Sequence, residues 1–226
     1  QLSAERVRRK YLGHMDEEDA QVLDRATHTI VQQVEAMKEM VNAFSDYARA
    51  PDMEIGRFDM DKLVHEVVDL YRAQDRAVNI VLTSDPSMPP LEADMGRIRQ
   101  MLHNLIRNSI EALEGVADAR IDVHVSAAEI NAIEMMQIRV EDNGPGFDPG
   151  AVNQVFDPYV TTKPKGTGLG LAIVKKLVEE HVGTIIAENR EQGGALVSVR
   201  LPLNEKAREA MIIRVPGRAD RRRELA

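Results

Sequence analysis

Three short stretches hold residues whose types and spacing could do chemistry. In HNLIRNSIEAL (103–113), Asn104, Asn108 and Glu111 fall at i, i+4 and i+7, along one face of a helix. Leu102, Leu105, Ile106, Ser109 and Leu113 cover the opposite side. Asparagine is a mediocre helix former, so two of them a turn apart are unusual. Their carbonyl oxygens could ligate a hard cation that also binds phosphate. Mg²⁺ suits such a place, because it takes oxygen ligands, keeps waters and binds few protein groups. Two plain surface asparagines would give the same pattern.

The second stretch, EDNGPGFDP (141–149), follows a segment that alternates as strands do. Asp142 stands at the strand end, where its carboxylate could accept a hydrogen bond from an exocyclic amine such as that of adenine. An ordinary Asp-Asn-Gly turn uses the same residues. The third, KPKGTGLGLAIVKK (163–176), sets Gly166, Gly168 and Gly170 at alternate positions before a helical run. A Walker loop would put Lys after its last glycine, whereas Leu171 follows Gly170. A dinucleotide fold would place its glycines between a strand and a helix, whereas TTKPK precedes these. What remains is a lid whose backbone N–H groups and following helix N-terminus face an anion, with Lys163 and Lys165 adding positive charge.

These residues need elements to position them. A domain boundary is expected near 49–54. Asp59 should cap a helix running to about Gln74, with Leu63, Val67, Leu70 and Tyr71 on one side. Asp94 should cap a long helix ending before Gly115. Residues 77–84, 120–127 and 135–142 read as strands, a helix starts from the glycines, and TIIAENR and ALVSVRLP look like a closing hairpin. Strands and helices mix irregularly, which predicts an α+β sandwich rather than a doubly wound sheet.

Ahead of the boundary, Leu23, Ile30, Met37 and Phe44 recur every seven residues, interleaved with Thr27, Val34, Val41 and Ala48. That is a heptad seam over residues 20–49, interrupted only by Thr27, and it needs a partner helix. The partners expected are residues 2–12, through a turn at GHMDEED (13–19), and a second subunit. A helix packed on its own domain is the alternative. QLSAERVRRKYL reads as the middle of a helix with no cap, so the chain is expected to be a piece of a longer protein. Residues 204–226 are charged and locally basic and are expected to form a solvated or disordered tail, with a docking segment as the alternative.

Composition sets the limits. A chain of 226 residues can hold one substantial core and a smaller element. A net charge of −8 argues against nucleic acid as a partner. No run approaches the roughly 20 apolar residues that span a bilayer. With no cysteine there is neither a disulfide nor a cysteine–zinc site, and a cytoplasmic setting is expected.

Taken in order, the stretches resemble a known set. HNLIRNSIEAL resembles the N box of sensor histidine kinases, EDNGPGF the G1 box, VFDPYVTTK the F box and KGTGLGLAIVKKLVEEH the G2 box, with GGALVSVRLP as the closing strand. QLSAERVRRKYL, SDYARAP and PYVTTKPKGTGLGLAIVKK look most similar to NtrY-type nitrogen-regulation sensor kinases. The resemblance covers 54–203 and implies a Bergerat-type (GHKL) ATP-binding sandwich of about five strands backed by helices. In front of it, residues 1–50 would be part of a dimerisation hairpin.

Carried over by position, Asn108 would be the main Mg²⁺ ligand, with Asn104 contacting metal or phosphate. Asp142 would bind the adenine amine, with Gly144 and Gly146 letting the backbone lie against the base. Phe156 would anchor the lid and Lys163 would meet phosphate. Gly166, Thr167, Gly168, Leu169 and Gly170 would wrap the triphosphate. The implied partners are an NtrX-like response regulator receiver domain and a second copy through residues 20–49. The parent would be an inner-membrane sensor with this region in the cytoplasm.

The family's phosphorylated histidine lies in an H-E-[IL]-[KR]-N-P box, which this sequence lacks. His65 precedes Glu66, but VVDLY follows, and His14, His28, His103, His124 and His181 read as structural or surface residues. The resemblance therefore implies transfer of the ATP γ-phosphoryl group to a histidine outside these residues, and then to a regulator. Two alternatives stand beside it. A GHKL-type ATPase would need a Glu about a turn before the metal Asn, where this chain has His103 or Asn104. A nucleotide-sensing interaction module would bind the regulator without chemistry.

Overall fold

The computed structural model describes residues 2–11, 16–48, 52–75, 77–161, 163 and 166–214. Contacts divide the chain into two units: Gln1–Arg49 with Thr161–Thr167, and Ala50–Val160 with Gly168–Ala226.

The first unit contains α1 (Leu2–Tyr11) and α2 (Glu17–Ala48), which pack on each other. Asp16 starts α2 by accepting the Asp19 N–H at 2.9 Å, and Glu17, Glu18 and Asp19 suit the positive end of the helix. Thr27, the break in the predicted seam, is buried, and its hydroxyl donates to the Leu23 carbonyl at 2.7 Å. Farther along the same seam Ile30, Met37 and Val41 are 52%, 66% and 61% exposed. The side chains of Phe44 and Ala48 and residues 12–15, including His14, lie outside the described residues.

The second unit is an α+β sandwich. Its strands are β1 (Ile55–Phe58), β2 (Asn79–Ser84), β3 (Leu91–Asp94), β4 (Arg120–Ile130), β5 (Ile133–Asp142), β6 (Thr184–Asn189) and β7 (Ala195–Pro202). Five of them form one sheet in the order β2-β4-β5-β7-β6; β2 runs parallel to β4 and every other pair is antiparallel. β1 and β3 make a separate two-stranded ribbon. Ile121, Val123 and Val125 on β4, Ile138 and Val140 on β5, and Val197 and Val199 on β7 are buried. The residues between them are less buried, which is the period-2 pattern of a sheet with one covered face.

The helices are α3 (Met60–Gln74), α4 (Met95–Ala112), α5 (Gly170–Glu180) and α6 (Glu205–Arg214). Asp59 and Asp94 cap α3 and α4 by accepting the Lys62 and Arg97 N–H groups, as the sequence predicts. Leu70 differs from expectation. It is exposed, and Met60, Leu63, Val64, Val67 and Val68 form the buried stripe of α3. The expected tail is also partly wrong, because residues 205–214 are helical. Ala207, Ala210 and Met211 pack on Ile130, Ile133 and Met135, and that burial outweighs the charge of the segment.

Candidate nucleotide-binding site

Asp142 is the last residue of β5, and it is only 4% exposed although nothing in a strand end requires a buried acid. Its Oδ1 accepts the Gly144 N–H at 3.0 Å and the Ala195 N–H at 3.2 Å. Two backbone donors on one oxygen fix the carboxylate plane and leave the second oxygen as an oriented acceptor. Among the described residues the buried polar side chains are Thr27, Ser109, Asp142 and His181. Of these, Asp142 alone is a carboxylate.

The loop after Asp142 is held by backbone-scale contacts. A Cβ on Gly144 would sit 3.2 Å from the Ala112 carbonyl, so the loop lies against the C-terminal end of α4. Asn108 is one turn earlier on that helix, and a Cβ on Gly170 would come within 3.0 Å of its Oδ1. The Asp142 loop and the first residue of α5 therefore both approach the C-terminal half of α4. Asn104 is half-buried on α4, one turn before Asn108. The opposite face of α4 buries Leu102, Leu105, Ile106 and Ser109, which sets the direction of both asparagines.

Gly146 and Gly194 are glycines for steric reasons. Gly146 has φ +77°, and a Cβ there would sit 2.6 Å from the Asn189 Oδ1. Gly194 has φ +93°, and a Cβ would overlap the Asp142 carbonyl oxygen. Leu169 is fully buried before α5, while Phe156 is half-buried beyond a 3₁₀ turn at Val152–Gln154. The Tyr159 N–H donates to the Gly168 carbonyl at 3.0 Å, tying the F-box segment to the glycine stretch. Lys163, Gly166 and Thr167 fall in the segment counted with the first unit. There the Lys163 N–H donates to the Thr161 hydroxyl and the Gly166 N–H to the Lys163 carbonyl, both at 3.1 Å. Lys165 lies outside the described residues.

A second polar cluster joins the far ends of α4 and α5. The Asp94 N–H donates to Nε2 of His181 at 3.2 Å, and Nδ1 of His181 bonds the Leu177 carbonyl at 2.7 Å. Arg97 pairs with both Asp94 and Glu180, and Lys176 reaches Glu180. Burial pushes the His181 pKa down, against the opposing pull of the Leu177 carbonyl and the nearby acids. Burial would raise Asp94, but the Arg97 and Glu54 N–H groups and the charges of Arg97 and His181 bring it below the usual carboxylate range.

Sequence reading missed the turn between β6 and β7, where Asn189, Arg190 and Ala195 bond the loop that carries Asp142. The Gly193-Gly194 pair, both with positive φ, was the available signal. Among the described residues no group of three or more His, Cys, Asp or Glu is placed to hold a metal ion, and no helix is long and apolar enough to cross a membrane.

Comparison with known proteins identifies the family of the chain. The family described as histidine kinase-, DNA gyrase B-, and HSP90-like ATPase matches residues 93–205. The nitrogen regulation protein NtrY of Azorhizobium caulinodans is 37% identical over 203 residues, covering 89% of this chain and 26% of its own. The chain spans about a quarter to a third of the length of the curated relatives it matches. Among solved structures, the nucleotide-free catalytic domain of histidine kinase ThkA is 31% identical with a TM-score of 0.60, covering 69% of this chain and 99% of that one. Full-length ShkA in complex with AMPPNP is 26% identical with a TM-score of 0.63, covering 82% of this chain and 38% of that one. The chain belongs to the histidine kinase-, DNA gyrase B- and HSP90-like ATPase family.

Proposed function

We propose that this chain is the ATP-binding catalytic region of an NtrY-like sensor histidine kinase, together with part of its dimerisation hairpin. The observation that carries the reading is the Asp142 carboxylate: buried, held through one oxygen by two backbone N–H groups, in a loop that lies against the end of the helix carrying Asn108. A carboxylate fixed this way recognises a single outward N–H, which the exocyclic amine of adenine supplies. The nucleotide-bound state of ShkA supports a nucleotide as the ligand.

The Asn108 and Asn104 carbonyl oxygens have the chemistry that would hold Mg²⁺, a cation that takes oxygen ligands and binds few protein groups. The metal would supply charge neutralisation on the phosphates. Gly168, Leu169 and Gly170, at and just before the start of α5, would offer backbone N–H groups to the phosphate tail. The phosphoryl acceptor is a histidine other than the six in this sequence. His65 bonds its own helix at Asp61, His103 meets Tyr71, and His181 is buried. The group then passes to a response regulator receiver domain of the NtrX-like kind. The exposed stripe of Ile30, Met37 and Val41 supports a second copy of the chain as the partner of α2.

Isothermal calorimetry with ATP, with and without Mg²⁺, tests this on the chain and on Asn108→Ala. Wild type is expected to bind in the presence of Mg²⁺, and the variant to lose at least about tenfold in affinity. Unchanged binding by the variant would remove the metal assignment. Radiolabelled ATP should leave no label on the 226-residue chain alone, and a labelled histidine here would overturn the acceptor reading.

A further inference from the structure

The β6–β7 turn makes an unusual number of polar contacts to one short loop. Asn189 Oδ1 accepts the Phe147 N–H at 2.6 Å, and its Nδ2 donates to the Phe147 carbonyl at 2.8 Å. A single side chain thus pairs with Phe147 as a neighbouring strand would. Arg190 Nη1 donates to the Asp142 carbonyl at 2.9 Å, and its Nε lies 3.2 Å from Glu141. Arg139 pairs with the same Glu141 at 2.6 Å. The Ala195 N–H reaches the Asp142 carboxylate itself, and Gly194 leaves room for the Asp142 carbonyl.

Both ends of the Asp142–Phe147 loop are therefore fixed from one turn. Arg190 and Ala195 hold the end at Asp142, and Asn189 holds the end at Phe147. Folding alone gives no reason for such concentration. β6 already pairs with β7 over six residues, and an exposed hairpin turn needs only its own glycines. A recognition site does give a reason, because selectivity requires its polar atoms to stay put when the wrong base arrives.

We propose that Asn189 and Arg190 are positioning residues that set nucleobase selectivity by holding the loop that carries the Asp142 carboxylate. This rests on the nucleotide reading above. The discriminating ligand pair is ATP and ITP, which differ at the base in the group that meets Asp142. Adenine offers an amine donor there, while hypoxanthine offers a carbonyl oxygen that a fixed carboxylate rejects. A loop free to shift would tolerate the carbonyl.

The test is calorimetric titration of the whole 226-residue chain with Mg-ATP and Mg-ITP, for wild type, Asn189→Ala and Arg190→Ala. Wild type is expected to favour ATP by about 100-fold or more. Each variant should narrow that ratio about tenfold, chiefly by binding ITP relatively better. Asn189→Asp keeps an acceptor for the Phe147 N–H and should fall between Asn189→Ala and wild type. Equal weakening of both nucleotides at an unchanged ratio would overturn the proposal. Loss of the cooperative melting transition in both variants would also overturn it, because the turn would then serve stability. A wild-type chain that binds neither nucleotide, or both equally, fails at an earlier point and overturns the nucleotide reading itself.

Discussion

Two helices in this chain carry the same kind of apolar stripe and meet opposite fates. On α4, Ile98, Met101, Leu102, Leu105 and Ile106 are all buried, because α3, α5 and the sheet surround it within its own unit. On α2, Ile30, Val34, Met37 and Val41 are exposed. The helix that shares a unit with α2 is α1, ten residues against thirty-two. At 1.5 Å per residue, ten residues cover about 15 Å of a helix about 48 Å long. Periodicity shows which face of a helix will be covered. What covers it depends on the rest of the chain, or on a second chain.

The largest effect expected from that contrast is on stability. Leu105→Ala should cost about 3 kcal/mol in urea unfolding of the second unit, as large-to-small changes in closed cores do. Met37→Ala, measured at concentrations that keep the chain monomeric, should change its unfolding by less than about 0.5 kcal/mol. Comparable losses from the two would end the distinction.

The next effect is on association. Ile30→Glu with Val41→Glu places two charges on the exposed stripe, where a partner helix would have to desolvate them. Sedimentation equilibrium should show the dimer dissociation constant rising tenfold or more. If the doubly substituted chain associates like wild type, α2 does not pair through that stripe.

The contrast also explains what the sequence made legible. Asp59 and Asp94 were readable as caps because a carboxylate ahead of an amphipathic run has one main use there. The asparagine face of α4 was readable because Leu102, Leu105 and Ile106 point the helix the other way. β1 and β3 were not readable, since four-residue strands such as LEAD carry too little alternation. α6 was hidden by its charges, which say nothing about the small apolar patch awaiting Met211. The grip of Asn189 and Arg190 on the Asp142 loop was invisible for a different reason. It joins residues more than forty positions apart through backbone atoms, and backbone atoms are the same in every sequence.

A smaller effect should appear with pH. His181 sits neutral between the Asp94 N–H and the Leu177 carbonyl, with Arg97 and Glu180 beside it and Lys176 beyond. Its pKa lies below the ordinary 6.5 when folded, so the unfolded chain takes up a proton first as the pH falls. Its contribution is complete above about pH 6.5 and is lost as pH drops from there through the folded value. His103, also lowered by burial and by Arg99, adds a loss of the same sign. Asp94 contributes in a separate window, below its ordinary 3.8. Melting between pH 7.5 and 5.5 should therefore fall more steeply for wild type than for His181→Gln. Parallel slopes would show that the α4–α5 junction does not sense protons through His181.

The smallest effect belongs to Thr27, the covered position on the otherwise open stripe. Its hydroxyl bonds the Leu23 carbonyl at 2.7 Å and the Asp24 carbonyl at 3.1 Å, both on its own helix. Those carbonyls already lie in the helical ladder, so removing the hydroxyl leaves no buried acceptor without a donor. Thr27→Val keeps the branched shape and replaces a polar group by a methyl. The lost bond is worth about 1 kcal/mol net, and the added apolar burial about 0.8 kcal/mol. Back-bonding of this kind slightly destabilises a helix, which tips the balance. Helix loss followed by circular dichroism should show Thr27→Val equal to wild type or up to about 1 kcal/mol more stable, and Thr27→Ala less stable, because it gives up volume as well. A Val variant weakened by more than about 1 kcal/mol would mean that the hydroxyl answers to something beyond its own helix. The seam would then carry a polar contact that sets its register, as single polar residues do in coiled coils.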